Sequence, residues 1–558
     1  MGPDSTAPSP VPETATQYMV AMRDGVRLAT DVYLPPAGSP GPAVLVRLPY
    51  DKNSRYVFMA QVADRLTARG YALVVQDVRG KYRSEGEPLG PVSEVRDGYD
   101  TIDWISGQVW CNGRVGMFGD SYYGFTQWAA LSAQHPALRA IVPRVTSTDV
   151  SQFSHVRHGT VSDVPWLCFV AYIAHCWTGR YVQEKELDWD QMPLTEVFEA
   201  YFRSLGERSL WYDLMVPRTI PVPVYGEGHP HNARPVPALH CVGWFDNVAT
   251  FSMRDYMKLA SSPAAGPYQY LYADSHDHEN YHLSDVPIQP ADDHDSNDEA
   301  LERMLDGYID PAIEFFDVFL LETADAAVVP RVRWHLGHAG YRESPAWPPP
   351  ESRALTLYLT DLAAAANSAG VLSASQPPAA QTCEWDYDPG NLVTSTAGNT
   401  FAFLFEYPDE SAQVRHPDVL AFESKAQDQP LDLAGPVDLF VRVASSAPTT
   451  DIYAKLCDRA PDGSIHQIVR GQGVLTQPGA EGLARIEMGH TGYRLRPRHR
   501  FHLQLASSDY PEFPPNSGTT DNRWTAATRA GSRQVLHTDA ARPSHLVLTV
   551  VSAAHGNV

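Results

Sequence analysis

Cysteine is scarce: six occur among 558 residues, at positions 111, 168, 176, 241, 383 and 457, and no two stand at metal-ligand spacing. That excludes a disulfide framework and a zinc ribbon and leaves buried thiols. Basic residues are in deficit, with 43 Lys and Arg against 66 Asp and Glu and a formal charge of -23. A chain of that sign, with no cluster of Lys and Arg to form a basic stripe, repels phosphate backbones and anionic headgroups, so neither nucleic acid nor a membrane is expected as a partner. No run of about 18 apolar residues is present. The opening "MGPDSTAPSPVPETATQ" lacks the basic and apolar regions of a signal peptide, and Gly2, followed by Pro3, Ser5 and Thr6, matches a myristoylation signal too poorly to count. The expectation is a soluble, cytoplasmic protein with a disordered leader over residues 1–16. A homo-oligomer stays open.

Apolar residues are plentiful. At 43% hydrophobic and 10% aromatic the chain has the profile of a folded protein, and its length exceeds a single hydrophobic core, which allows roughly two to four domains. "YMVAMRDGVRLATDVYLPP" reads as two β runs broken by Asp24-Gly25, a hairpin signal. "PAVLVRLPY" and "YALVVQDVRG" are short apolar runs typical of strands buried on both faces, separated by a helix-like interval. The alternation continues through "VRDGYDTIDWISGQ" and "RVGMFGD", which argues for an α/β class with a mostly parallel sheet. From Thr146 to Pro237 the strand signal yields to aromatic, helix-compatible sequence such as "VPWLCFVAYIAHCW". "VPALHCVGWFD" and "YQYLYADSH" resume the strands, and repeated short β runs follow "WPPPES". The expected organisation is a first α/β part at 17–145, a helical cap at 146–237, a second α/β part at 238–345, and a β-sandwich or jelly roll at 352–558. Within the last, the biased segment "LAAAANSAGVLSASQPPAAQ" reads as a surface loop.

One short motif carries chemistry. In "RVGMFGDSYYGFTQWAAL", Ser121 lies between Gly119 and Gly124, where a strand-like run becomes helix-like. A nucleophilic serine needs such a turn: it must stand exposed, small neighbours must relieve crowding, and the next backbone N–H must face an oxyanion. The spacing is G-x-S-x-x-G, one residue longer than the common elbow, so a turn or N-cap serine is a serious competing reading.

Further segments stand in order around this motif: "LVRLPYDK", "DVRGKYRSEG", "GDSYYG" and "GWFD", and in the last third "GPVDLFVRVASSAPTTDIYAKLCDRAPDG" and "SSDYPEFPPN". Through them the sequence resembles the cocaine esterase and X-Pro dipeptidyl-peptidase family of serine hydrolases. The resemblance implies an α/β-hydrolase fold with a helical cap insertion and a C-terminal jelly-roll domain, acting without a cofactor or metal. In such folds the order along the chain is Ser, acid, His. The resemblance puts the acid at Asp246. For the base, "YADSHDHENYH" offers His276, His278 and His282; an ungapped alignment places His278 on the base, with His276 as the alternative, although Asp274 and Ser275 replace the family's usual glycine and proline. It also implies an oxyanion hole from the Tyr50 hydroxyl and the Tyr122 backbone N–H. The cap aromatics Trp166, Phe169, Tyr172 and Trp177, with Phe245, could line an apolar or aromatic acyl pocket; helix packing explains them equally well.

The expected activity is hydrolysis of a small-molecule carboxylic ester through a Ser-His-Asp triad and an acyl-enzyme, with amidase, acylase or X-Pro peptidase chemistry as the alternative. After Asp246 come Asn247, Val248 and Ala249, without the carboxylates that anchor an α-amino group in some family members. Two rivals come from other classes. The Asp- and His-rich stretch over 274–299 suggests a metallohydrolase but lacks HExxH or another ligand frame. An inactive binding protein on the same fold is the second, against which every triad position is occupied.

Overall fold

The computed structural model describes residues 7–36, 40–149, 157–158, 161–216, 220, 222, 224–226, 228–479 and 482–551. A ten-stranded sheet organises the first two thirds. Its strands from the first stretch of chain are β1 (Thr16–Ala21), β2 (Arg27–Tyr33), β3 (Gly41–Leu48), β4 (Ala72–Asp77), β5 (Cys111–Asp120) and β6 (Leu138–Arg144). A short hairpin, β7 (Arg157–His158) and β8 (Val161–Ser162), belongs to the intervening insertion. The sheet resumes with β9 (Ala238–Gly243), β10 (Gln269–Asp274), β11 (Val332–Leu336) and β12 (Gly340–Ser344).

The order across the sheet is β1-β2-β4-β3-β5-β6-β9-β10-β11-β12. From β4 to β11 in that order the strands are parallel; antiparallel pairs join β1 to β2, β2 to β4 and β11 to β12. Every residue of β4 is buried, as expected of a strand covered on both faces. The helices α1 (Met59–Ala68), α2 (Glu94–Ser106) and α3 (Ser121–Ser132) connect the first parallel strands. α4 (Leu167–Trp177), α5 (Leu194–Leu205) and α6 (Leu210–Met215) form the insertion, and α7 (Ala249–Ala260) and α8 (Asp298–Phe319) belong to the second half. This is an α/β-hydrolase core. Parallel strands end on one edge, so the loops after β3, β5, β9 and β10 open on the same side of the sheet.

The last third is a jelly-roll-like β domain. Its long strand Leu431–Ser445 pairs with Ala484–Leu495 and His545–Val551, and Thr449–Arg459 pairs with Ile465–Thr476 and Arg500–Ala506. The two parts share apolar interior: Trp244 of the hydrolase stacks on Trp347 at 5.1 Å between ring centroids.

Three expectations change. Residues 1–6 of the leader lie outside the described residues, but Ser9 N–H donates to Asp51 Oδ2 at 2.6 Å and Thr16 already opens β1, so the described part of the leader is held against the loop after β3. The insertion is not helical throughout: β8 joins the C-terminal sheet, Val161 and Ser162 pairing with Leu475 and Val474. The alanine-rich segment is not a surface loop throughout. It holds a helical turn, Leu362–Ala365, and a strand, Gly370–Ser373, because Leu362 and Leu372 are buried in the core.

Candidate active site

Ser121 is the first residue of α3, immediately after β5, and its φ of 51° lies in the left-handed region that L-residues other than glycine rarely adopt. The flanking glycines explain how the chain holds it there. A Cβ on Gly119, where φ is 147°, would meet the Tyr123 ring at 2.2 Å. A Cβ on Gly124 would meet Thr146 Cγ2 at 2.5 Å and the Arg144 carbonyl at 3.0 Å. The second glycine is therefore displaced by one residue because the close approach is to the end of β6, one position farther into the helix. Thr146 Oγ1 completes the clamp by donating to the Ser121 carbonyl at 2.6 Å.

Behind the turn lies a buried polar network. The Tyr122 hydroxyl donates to Glu94 Oε1 at 2.9 Å, and Arg47 donates to Glu94 Oε2 at 2.6 Å and Gln76 Oε1 at 2.8 Å. With its side chain drawn inward, Tyr122 leaves its backbone N–H at the second position of α3, where no carbonyl of the helix can reach it. Asp120 is held by Arg144 Nε at 3.0 Å, and Arg144 donates in turn to Asn280 Oδ1 at 2.9 Å, tying the serine turn to the loop after β10.

The loops after β9 and β10 are laced together: Trp244 N–H donates to the Asp274 carbonyl and Phe245 N–H to that of His276. This brings His278 Nδ1 to 2.8 Å from Asp246 Oδ1, an oxygen that also accepts Val248 N–H at 3.1 Å. With Nδ1–H donated to Asp246, Nε2 carries the lone pair that can take a proton. Burial pushes the His278 imidazole down, but the Asp246 charge and hydrogen bond, with Glu279 and Asp120, outweigh it and leave the group above its ordinary value. Asp274, which stands in place of a glycine, makes its own closure: it accepts from Ser275 N–H, from His282 Nε2 at 2.9 Å and from the Tyr341 hydroxyl at 2.6 Å. Burial opposes its charge, and these partners overcome that and hold its carboxyl well below the usual range.

Ser121, His278, Tyr50 and Tyr122 line one cavity. Tyr50 follows β3, is buried, and lines the cavity with Ser121. Burial raises its phenol well above 10, so it stays a protonated donor. His276 is elsewhere. Its Nδ1 donates to the Asp277 carbonyl at 2.7 Å, and it lines a separate cavity with Arg144, Asp274 and Tyr308.

The expected acyl pocket is partly displaced. Phe169 and Tyr172, one turn apart on α4, face the Ser121 cavity, and the Tyr172 hydroxyl lies 3.5 Å from that of Tyr50. Trp177, on another face of α4, packs behind Tyr122 at 4.9 Å. Trp166 and Phe245 line a different cavity at the seam with the C-terminal domain. In their stead stand Tyr56, Phe58, Val248 and Phe401, with the carboxylates Glu279 and Asp295. Phe401 comes from the C-terminal domain and lies 5.1 Å from the His278 ring. Its carbonyl accepts Glu279 N–H at 3.2 Å, and Asp277 Oδ2 accepts Leu404 N–H at 2.8 Å. None of these carries a local motif; the only sequence signal was Glu279 following the base. Among the described residues, no three His, Cys, Asp or Glu side chains are grouped to hold a metal ion, which leaves the metallohydrolase reading without a ligand set there. No helix of the described residues is long and apolar enough to cross a membrane.

Comparison with known proteins places this architecture. Residues 24–279 match the family model described as X-Pro dipeptidyl-peptidase (S15 family), and residues 326–547 match the X-Pro dipeptidyl-peptidase C-terminal non-catalytic domain. Cocaine esterase from Rhodococcus sp. (strain MB1 Bresler) is 30% identical over 592 aligned positions, covering 96% of this chain and 98% of that one. Among solved structures, an aminopeptidase from a marine sediment archaeon, Thaumarchaeota archaeon, superposes with a TM-score of 0.77 at 22% identity, and an alpha-amino acid ester hydrolase with 0.76 at 22%, each over 99% of both chains. The two likenesses show the fold; the extent and identity of the first match show more. The chain belongs to the cocaine esterase and X-Pro dipeptidyl-peptidase family of serine hydrolases.

Proposed function

We propose that the chain hydrolyses small carboxylic esters with an apolar or aromatic acyl group, using Ser121 as nucleophile, His278 as general base and acid, and Asp246 as the group that orients His278. The observation that carries this reading is the meeting, in one cavity, of a serine on a left-handed turn and a histidine hydrogen-bonded to an aspartate. Ser121 Oγ attacks the carbonyl carbon as its proton passes to His278 Nε2. The oxyanion accepts hydrogen bonds from the Tyr50 hydroxyl and the Tyr122 N–H. Collapse breaks the ester bond, and the imidazolium returns the proton to the departing alkoxide. Water then repeats the sequence on the acyl-enzyme and releases the acid. Tyr56, Phe58, Phe169, Tyr172 and Phe401 give the cavity its preference for apolar or aromatic groups.

A second reading rests on a specific feature. Glu279 and Asp295 line the cavity, and no Lys or Arg among the described residues does, which favours substrates bearing an amino group, as esters, amides or amino-terminal peptides. Intact mass after treatment with a serine-directed phosphonate tests the nucleophile: wild type gains one adduct and Ser121→Ala none. Equal labelling of the two would refute the assignment. A panel of p-nitrophenyl esters and anilides, with and without an α-amino group, separates the two substrate readings.

A further inference from the structure

Lys81 is a cation buried at the C-terminal end of α4 without a carboxylate within salt-bridge distance among the described residues. It follows β4 in "DVRGKYRSEG", and its side chain is 0% exposed. Its Nζ donates to the Cys176 carbonyl at 2.5 Å and the Gly179 carbonyl at 3.1 Å, and lies 5.7 Å from the Trp177 ring centroid. The first of these carbonyls belongs to the last turn of α4, where the helix has acceptors that nothing within it satisfies and where its dipole favours positive charge. Burying an ammonium costs several kcal/mol. Here the opposing interactions come from carbonyl ends and aromatic faces rather than an acid.

What this cation holds is the wall of the site. α4 brings Tyr172 to the Tyr50 hydroxyl, and its Trp177 packs on the Tyr122 ring. We infer that Lys81 is a positioning residue for ester hydrolysis: by clamping the C-terminal end of α4 it aligns both donors of the oxyanion hole, Tyr50 through Tyr172 and Tyr122 through Trp177. The inference rests on the esterase reading above.

The clamp is titratable. Burial lowers the Lys81 ammonium to about 8, with Arg180 acting in the same direction and Cys176, Glu207 and Asp77 against it. Among the described residues, these and Tyr82, whose ring lies 5.9 Å away, are the charged and titratable groups recorded around it. A neutral amine keeps its N–H groups but loses the charge that the carbonyls and rings attract. The sign for stability is opposite to that for activity. A lysine whose folded value lies below its unfolded one binds fewer protons in the native state, so between about 8 and 10.5 this group makes the fold more stable as pH rises. An alkaline loss of activity from Lys81 is therefore misalignment, not unfolding.

The test is the pH profile of kcat for a p-nitrophenyl ester between pH 6 and 10. Wild type should lose activity with one ionisation near pH 8. Lys81→Met should have a kcat about tenfold lower at pH 7, without that alkaline limb and with KM within about twofold, because alignment of donors acts on the transition state. Lys81→Arg should move the limb beyond pH 10. A wild-type profile flat to pH 10, or a Lys81→Met enzyme that keeps the wild-type kcat or the limb near 8, overturns the proposal; the wild-type profile and Lys81→Arg decide it if the methionine variant does not fold. Phosphonate labelling of Ser121 keeps the failures apart: labelling with an unaltered profile removes Lys81 alone, and no labelling removes the esterase reading.

Discussion

The two tyrosines at the candidate oxyanion hole should respond in opposite ways to the same substitution. In the proposed mechanism Tyr50 acts through its hydroxyl, so Tyr50→Phe removes a donor to the developing negative charge while keeping the ring that packs edge-on against Tyr56 at 5.7 Å and Tyr123 at 6.2 Å. Loss of one such donor costs about 10²–10³ in kcat, roughly 2.7–4 kcal/mol of transition-state stabilisation. The thermal midpoint should hardly move. Tyr122 in that mechanism acts through its backbone, and its hydroxyl instead donates to Glu94 at 2.9 Å inside a network where Arg47 and Glu94 are 0% and 2% exposed. In Tyr122→Phe the backbone N–H survives, but one oxygen of a buried carboxylate loses its partner, at a cost of about 1.5–3 kcal/mol in stability for a bond to a charged group. Its kcat should stay within about threefold of wild type, the donor N–H being unaltered. The assays are kcat on a p-nitrophenyl ester at 25 °C and urea unfolding followed by tryptophan fluorescence. If Tyr122→Phe loses as much kcat as Tyr50→Phe, or Tyr50→Phe keeps it, the division of labour between side chain and backbone is wrong.

Two further predictions bear on the base and the turn. Glu279 is among the charges that keep the His278 imidazole above its ordinary value. A base must be neutral to act, so activity disappears as pH falls through that value; Glu279→Gln should shift the acid limb of kcat/KM to lower pH, making the variant more active than wild type on that limb and equal to it above. An unmoved limb would remove Glu279 from the electrostatics of the base. Gly124→Ala places a methyl group 2.5 Å from Thr146 Cγ2 and 3.0 Å from the Arg144 carbonyl, and should cost about 1–3 kcal/mol of stability by overpacking. A neutral result on urea unfolding would show that the late glycine in "GDSYYG" is not there for close approach.

How far the sequence could be read depended on where each signal is encoded. The hydrolase sheet was legible because two-sided burial writes uninterrupted apolar runs, as in β3 and β4, and a helix-period stretch follows each. The positions that meet at the cavity from the loops after β3, β5, β9 and β10 stand next to strand ends, where local pattern and resemblance both point. The walls were not legible. Trp166, Phe169, Tyr172 and Trp177 form one aromatic run, but only helix rotation decides that Phe169 and Tyr172 reach the cavity while Trp177 turns behind Tyr122. Phe401 is 123 residues from His278 and arrives by a domain packing that leaves no local trace. The same holds for the polar character of the pocket. Absence of carboxylates directly after Asp246 argued against recognition of an amine, yet Glu279 and Asp295 reach the cavity from the histidine loop and the segment leading to α8.

The Phe401 carbonyl that receives Glu279 N–H joins the histidine loop to the C-terminal domain through backbone atoms, whose donors and acceptors are the same for almost any amino acid, and Leu404 N–H adds one bond to the Asp277 carboxylate. Such a seam depends on one side chain, Asp277, and otherwise on loop length. Chimeras that exchange the C-terminal domain between family members should therefore tolerate wide sequence difference as long as Asp277 is kept and the segment from 394 to 407 and the histidine loop keep their lengths, and a single insertion in either should cost more than many substitutions elsewhere along the seam. The boundary for recombining these enzymes lies by this measure inside the active site, not at the linker between the two folds.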